Sequence, residues 1–336
     1  MTTTVAYIAN ADSRDISVLQ LDVDSGSVVP LQKVAVDGVV MPLAASPDRR
    51  FLYASIRSEP VAVQSYAIDP ASGDLASIGR SPLPASMCWI SVDRSGRFLL
   101  SASYGGSQIA VSPIDGAGIA GAAQQSAATE KNAHSVQATP DNRFLLASCL
   151  GGGVVLACRF DSSSGRFEAP VPAWRARPGA GPRHFVFHPT RPLVYLLNEL
   201  DATIDILRFD AEAGRLETLG HVAILPADFS GEPWAADLHL TPDGRFLYAC
   251  ERRASVLAGF AVDAATGGLA PLGRVPTETQ PRGFAIDPSG HWLLAVGQLS
   301  NRLSVYAIDN GTGALVKQGE HPVGQNPNWI EIVTLD

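Results

Sequence analysis

Apolar and β-branched residues fall in runs of four to seven along this chain, and each run ends in a cluster of Gly, Pro, Asp, Asn or Ser. Such runs are too short for helices and read as strands between turns. The stretch from His134, HSVQATPDNRFLLASCLGGGVVLACRFDSSSGRFEAPVPAW, shows the pattern clearly. It predicts a strand over Ser135–Ala138, a turn at Thr139-Pro-Asp-Asn and a second strand over Phe144–Cys149. A glycine turn (Gly151 to Gly153) leads to a third strand, Val154–Phe160. A turn on Asp161 and Gly165 leads to a fourth, near Phe167 to Val171. Proline at the second turn position, with Asp, Asn or Gly after it, supplies the backbone angles these reversals need.

The same phrase, an aspartate followed by small residues and a glycine, returns seven times. Its lead aspartates are Asp22, Asp69, Asp115, Asp161, Asp210, Asp263 and Asp309, so successive gaps are 47, 46, 46, 49, 53 and 46 residues. A period in the forties with four short antiparallel strands per unit predicts a β-propeller. Turns matching the one at Thr139 occur at Ser46, Asp93, His188, Thr241 and Asp287, giving six complete units. The seventh has its outer strands at the N-terminus, in VAYIAN and ISVLQLDV, and lacks an inner one. The C-terminal WIEIV, Trp329 to Val333, is the strand left to supply it, and joining the chain ends removes the open edges of the ring. The expected architecture is all-β: one seven-bladed β-propeller over residues 1–336, with four-stranded antiparallel blades.

Composition narrows the function. Hydrophobic residues make up 46% of the 336 residues, enough for a continuous core, while charged residues are only 17%. A net charge of -8 argues against a nucleic-acid or anionic-membrane partner. The chain starts MTTTVAYIAN, with no cationic head before an apolar stretch, and no apolar run is long enough to span a bilayer. Cys88, Cys149, Cys158 and Cys250 lie in strand-like runs without metal-type spacing. A cytoplasmic protein is expected, as a monomer or weak homo-oligomer.

Antiparallel pairing puts the start of each inner strand beside the end of the second strand, at one mouth of the central channel. Counting back from the first turn of each unit gives Met41, Cys88, His134, Arg183, Ala236 and Arg282. Counting forward from the second strand gives Arg57, Tyr104, Leu150, Glu199, Arg252 and Gln298. A shift of one residue adds His184, Asn198, Asp237 and Glu251. Four arginines at one mouth of an acidic protein need a compensating anion, and guanidinium suits carboxylate or phosphate. The mouth is therefore expected to bind a small anion, with His134 and Glu199 as candidates for proton transfer. The alternative is an ion-pair ring that closes the channel.

Several stretches resemble a known family: GAGPRHFVFHP from Gly179, YLLNELDATIDI from Tyr195, WAADLHLTPDGRFLYACER from Trp234 and PTETQPRGFAIDPSG from Pro276. SPDRRFLYASIR from Ser46 and GQLSNRLSVYAI from Gly297 fit the same pattern. They are similar to the bacterial β-propeller 6-phosphogluconolactonases, whose superfamily includes fungal carboxy-cis,cis-muconate cyclases. The resemblance implies hydrolysis of 6-phospho-D-glucono-1,5-lactone, a phosphorylated sugar lactone, to 6-phosphogluconate in the oxidative pentose phosphate pathway. It implies His134 or Glu199 as general base and Arg183 at the oxyanion, with Arg57, Arg252 and Arg282 on the phosphate. His184, Asn198, Asp237 and Gln298 are the further expected substrate contacts. No cofactor and no metal are expected: gluconolactonase-type propellers hold a divalent ion with carboxylates and asparagine, whereas an arginine-rich mouth repels cations. An unphosphorylated sugar-acid or dicarboxylate lactone, or a non-catalytic scaffold, stays open as an alternative.

Other signals have plainer readings. Gly116-Ala-Gly-Ile-Ala-Gly121 spells a dinucleotide fingerprint but falls in an Asp-Gly turn rather than a βαβ unit. His184 and His188 have a zinc-like spacing, yet four residues along a strand is about 13 Å. Ser135 follows His134, and strand neighbours point to opposite faces, so the pair does not form a nucleophile and base. Trp89, Trp234 and Trp329 could wall the mouth or fill the core, and the insertion Leu225 to Trp234 could be a lid or simple loop drift.

Overall fold

The computed structural model describes residues 3–335, in which all regular structure is β. Seven antiparallel sheets follow one another in chain order. Blades two to seven span residues 40–82, 89–128, 133–175, 182–223, 235–276 and 281–322, each running from an inner to an outer strand. Blade one is assembled from both ends of the chain. Its inner strand Pro327–Leu335 pairs with Thr3–Asn10, followed outward by Asp15–Leu21 and Val28–Ala35. This is the closure that the sequence predicts, with a longer C-terminal strand. Blade four differs in its outer strand, which is broken into Arg166–Phe167 and Val171–Arg175. The Glu168-Ala-Pro170 segment between them lacks the alternation and, at the proline, the N–H that a continuous ladder needs.

The repeated aspartate phrase has a physical explanation. Asp210 Oδ1 accepts hydrogen bonds from the backbone N–H groups of Glu212 and Ala213, 2.9 and 3.0 Å away. Gly214 then takes φ +65°, and a Cβ there would lie 2.4 Å from the ring of Phe144 in the preceding blade. The same turn recurs at Asp22, Asp69, Asp161, Asp263 and Asp309, each four residues before a positive-φ glycine. Three tyrosines fasten these turns across blades: the hydroxyls of Tyr7, Tyr195 and Tyr248 donate to the carbonyls of Gly73, Gly267 and Gly313 at 2.8 Å. Thus the sequence repeat is the joint between blades.

Between neighbouring sheets the core is apolar. Val18, Leu43, Leu52 and Val333 pack together across the closure, and Leu145, Leu156 and Phe160 meet Leu100 and Val111 between blades three and four. All four cysteines are buried and unpaired. No described helix is long and apolar enough to cross a membrane.

Candidate active site at the channel mouth

Every blade but the third has a two-for-one register shift near the start of its inner strand. Cys149 pairs with Ala133 and Ser148 with Ser135, leaving His134 between them. Arg183 is left over in the same way between Pro182 and His184, Ala236 between Ala235 and Asp237, and Arg282 between Pro281 and Gly283. Blade two shifts over Met41 and Pro42, and the closing strand over Asn328. Such bulges re-aim a side chain that a regular ladder would hold to one face. In blades four to seven, the residues counted from the sequence are the bulged ones.

Glu199 follows the second strand of blade five and organises the charges. Its Oε2 accepts from Arg183 Nε at 2.8 Å and from Arg252 Nη2 at 2.7 Å. Burial alone would raise its pKa, but the guanidiniums of Arg183, Arg252 and Arg282 hold it below the usual range. Glu199 is therefore an anion with one oxygen engaged twice, and 13% of its side chain is exposed. Arg252 also donates to the carbonyls of Trp234 and Ala235 and stacks over Trp234, 3.9 Å from the ring centroid.

His134 is nearly buried, and its Nδ1 has no partner. Burial, then the charges of Arg183 and Arg282, push its pKa well below 6.5, so the ring is neutral. Tyr104, 38% exposed, stands with its ring 5.7 Å from that of His134. Two further guanidiniums sit at the same strand ends, one in the inner strand of blade seven and one just after the second strand of blade two. Arg282 is half-buried with an unpartnered Nε, and burial plus the cations of Arg183, Arg252 and Arg57 lowers its pKa to about 9. Arg57 is half-buried and bound through Nε to Ser86 Oγ at 3.1 Å.

Other expected contacts lie elsewhere. Arg183 is 0% exposed and lies behind Glu199, to which it is bonded. His184 and Asp237 are buried beneath it, joined Nδ1 to Oδ1 at 2.9 Å. Asn198 turns its amide to Thr203 Oγ1 and Asp205 Oδ2, in an ion-pair group with Arg177 and Asp201. Gln298 is a brace between Gln280 and Asn326. Glu251 accepts from the backbone of Trp234 and Ala254. Asn198 and Glu251 are the last residues of the second strands of blades five and six, and both are bonded into their own blade.

Trp89 and Trp329 set their rings 4.6 and 5.9 Å from His184, plugging the channel below the mouth. Beyond the plug is a cavity of ≈230 Å³ lined by Ser91, Gln137, His239 and Glu331, all late in their inner strands. There burial raises Glu331 to about 7, against its bond from Trp329 and the charge of His239. Ser135 is bonded to Ser148, and His188 lies in the turn after its strand with Nδ1 on the N–H of Thr190. Gly116–Gly121 is the turn closed by the Ile114–Ala120 bridge. Among the described residues no group of three or more His, Cys, Asp and Glu side chains is arranged to hold a metal ion.

A closed ring of seven antiparallel sheets, with both chain ends joined in one of them, is the architecture of a seven-bladed propeller. Residues 2–332 match the family described as "Lactonase, 7-bladed beta-propeller", and the chain belongs to that family as a lactone-opening hydrolase. It is 40% identical over 332 residues to a 6-phosphogluconolactonase of Pectobacterium carotovorum, covering 99% of each chain. A Cronobacter sakazakii 6-phosphogluconolactonase is 41% identical over 332 residues, with 98% of each covered. Among solved structures, a periplasmic gluconolactonase of Pseudomonas aeruginosa superposes with a TM-score of 0.91 at 29% identity, covering 99% of this chain and 100% of that one.

Proposed function

We propose that the protein hydrolyses 6-phospho-D-glucono-1,5-lactone to 6-phosphogluconate in the cytoplasm. The observation that carries this reading is a neutral histidine under the charge of Arg282, with Arg57 at the same strand ends, in a lactonase with phosphogluconolactonase relatives. His134 is the general base: its Nδ1 is unpartnered, whereas Glu199 Oε2 already accepts from Arg183 and Arg252. It takes a proton from water as the water oxygen attacks the lactone carbonyl carbon. Arg282, whose charge bears on His134, stabilises the oxyanion that forms. Collapse breaks the bond to the ring oxygen, which receives the proton from His134, and the new carboxylic acid ionises in water. Glu199 orients the water, and Arg57, set apart on Ser86, holds the phosphate. No step calls for a metal, and activity is expected to survive a chelator.

Fresh lactone made by glucose-6-phosphate dehydrogenase, with spontaneous opening subtracted, tests these roles. Arg57→Ala should raise KM about tenfold for the phosphorylated lactone, the loss expected of one charged hydrogen bond, and leave glucono-1,5-lactone unchanged. Arg282→Ala should lower kcat for both by ~10²-fold. Equal rates on both lactones in the wild type, with Arg57→Ala indifferent, would shift the assignment to the unphosphorylated sugar lactone. The likeness to a gluconolactonase makes that the second reading.

A further inference from the structure

We infer that His184, held by Asp237, is a positioning residue: its imidazole face carries the Arg183 guanidinium and so fixes the carboxylate of Glu199. The inference rests on the site reading above and concerns two buried residues beneath Arg183.

The geometry is specific. Arg183 Nη1 is 3.1 Å from both Nδ1 and Nε2 of His184. A donor equidistant from the two ring nitrogens at that range stands over the ring face, because the corresponding in-plane position would overlap the carbon between them. The contact is thus a guanidinium resting on an aromatic surface. Such a surface attracts a cation only while neutral. Burial and the Arg183 charge lower the His184 pKa to about 3, although the Asp237 carboxylate pulls the other way. Asp237 Oδ1, accepting from Nδ1–H at 2.9 Å, sets the tautomer and stops the ring from turning. Its other oxygen meets His239 Nε2 at 3.1 Å, and its Oδ1 also accepts from the N–H of Leu238 at 3.0 Å. Trp89 and Trp329 pack against the ring edge-on, and His134 does so with centroids 5.1 Å apart. Above the ring, Arg183 passes the placement on through Nε to Glu199 Oε2 at 2.8 Å.

A filler histidine and a positioning histidine give different results. In the whole wild-type protein labelled with ¹⁵N-histidine, the His184 signals, assigned by their loss in His184→Phe, should show a neutral ring protonated on Nδ1. They should not change between pH 5 and 8. In kinetics, His184→Phe keeps a flat face, whereas His184→Leu keeps volume without one. The leucine variant should lose kcat about tenfold more than the phenylalanine variant, the scale of an orienting partner, with KM within twofold of wild type for both. A ring protonated on Nε2, a ring that titrates in that range, equal kcat in the two variants, or a loss confined to KM would each overturn the inference. A wild-type protein that opens no phosphorylated lactone refutes the substrate reading instead, and the NMR result still judges the ring.

Discussion

His134 is the residue on which the chemistry turns, and its surroundings dictate how rate should follow pH. A histidine acts as a base only when neutral, and here burial and the cations of Arg183 and Arg282 hold its pKa well below 6.5. The acid limb of kcat/KM, which reports the free enzyme, should therefore lie below pH 6.5. A bound phosphorylated substrate brings negative charge into the site, which favours the protonated ring, so the acid limb of kcat should lie at higher pH than that of kcat/KM. A pH–rate series on fresh lactone checks both; a kcat/KM limb at or above pH 6.5 would remove His134 from the role of base. His134, Glu199, Arg57 and Arg282 were legible in the sequence because their offset from a recognisable turn is fixed. The inward turn of Arg183 was not legible. Its exposure depends on a bulge and on His184 and Asp237, the latter from the next blade.

The elements of the fold were largely readable because the turns are chemically explicit. Asp at the head and glycine four residues later specify a reversal that few other sequences can make. The broken outer strand of blade four escaped the same reasoning, since its ladder is decided by pairing with the third strand rather than by local composition. The mouth bulges also escaped it, as each follows the first paired residue of its strand, with too little strand before it to show a shift of alternation. Inner strands meet tightly near the axis: a Cβ on Gly283 would lie 2.7 Å from the carbonyl oxygen of Asn328 in the closing strand. Because that neighbour is backbone, Gly283→Ala should destabilise the protein by about 1–3 kcal/mol in chemical denaturation, the range for overpacking. Unchanged stability would mean that the closing strand sits further from blade seven than described.

For the whole molecule, closure is what turns seven sheets into one site. The strand Pro327–Leu335 supplies the inner edge of blade one and carries Trp329, part of the plug beneath the mouth. Deleting it would expose the inner edge of Thr3–Asn10 and open the ring to aggregation. The truncated chain should be insoluble or lack a cooperative thermal transition, and a soluble, active truncation would contradict closure as described. The central claim is that the bulged residues of neighbouring blades form one basin for a phosphorylated lactone. A crystal structure with 6-phosphogluconate tests it most directly. The account predicts the phosphate on Arg57 and the new carboxylate between His134 and Arg282; a ligand lodged instead beyond the plug, against His239 and Glu331, would contradict it.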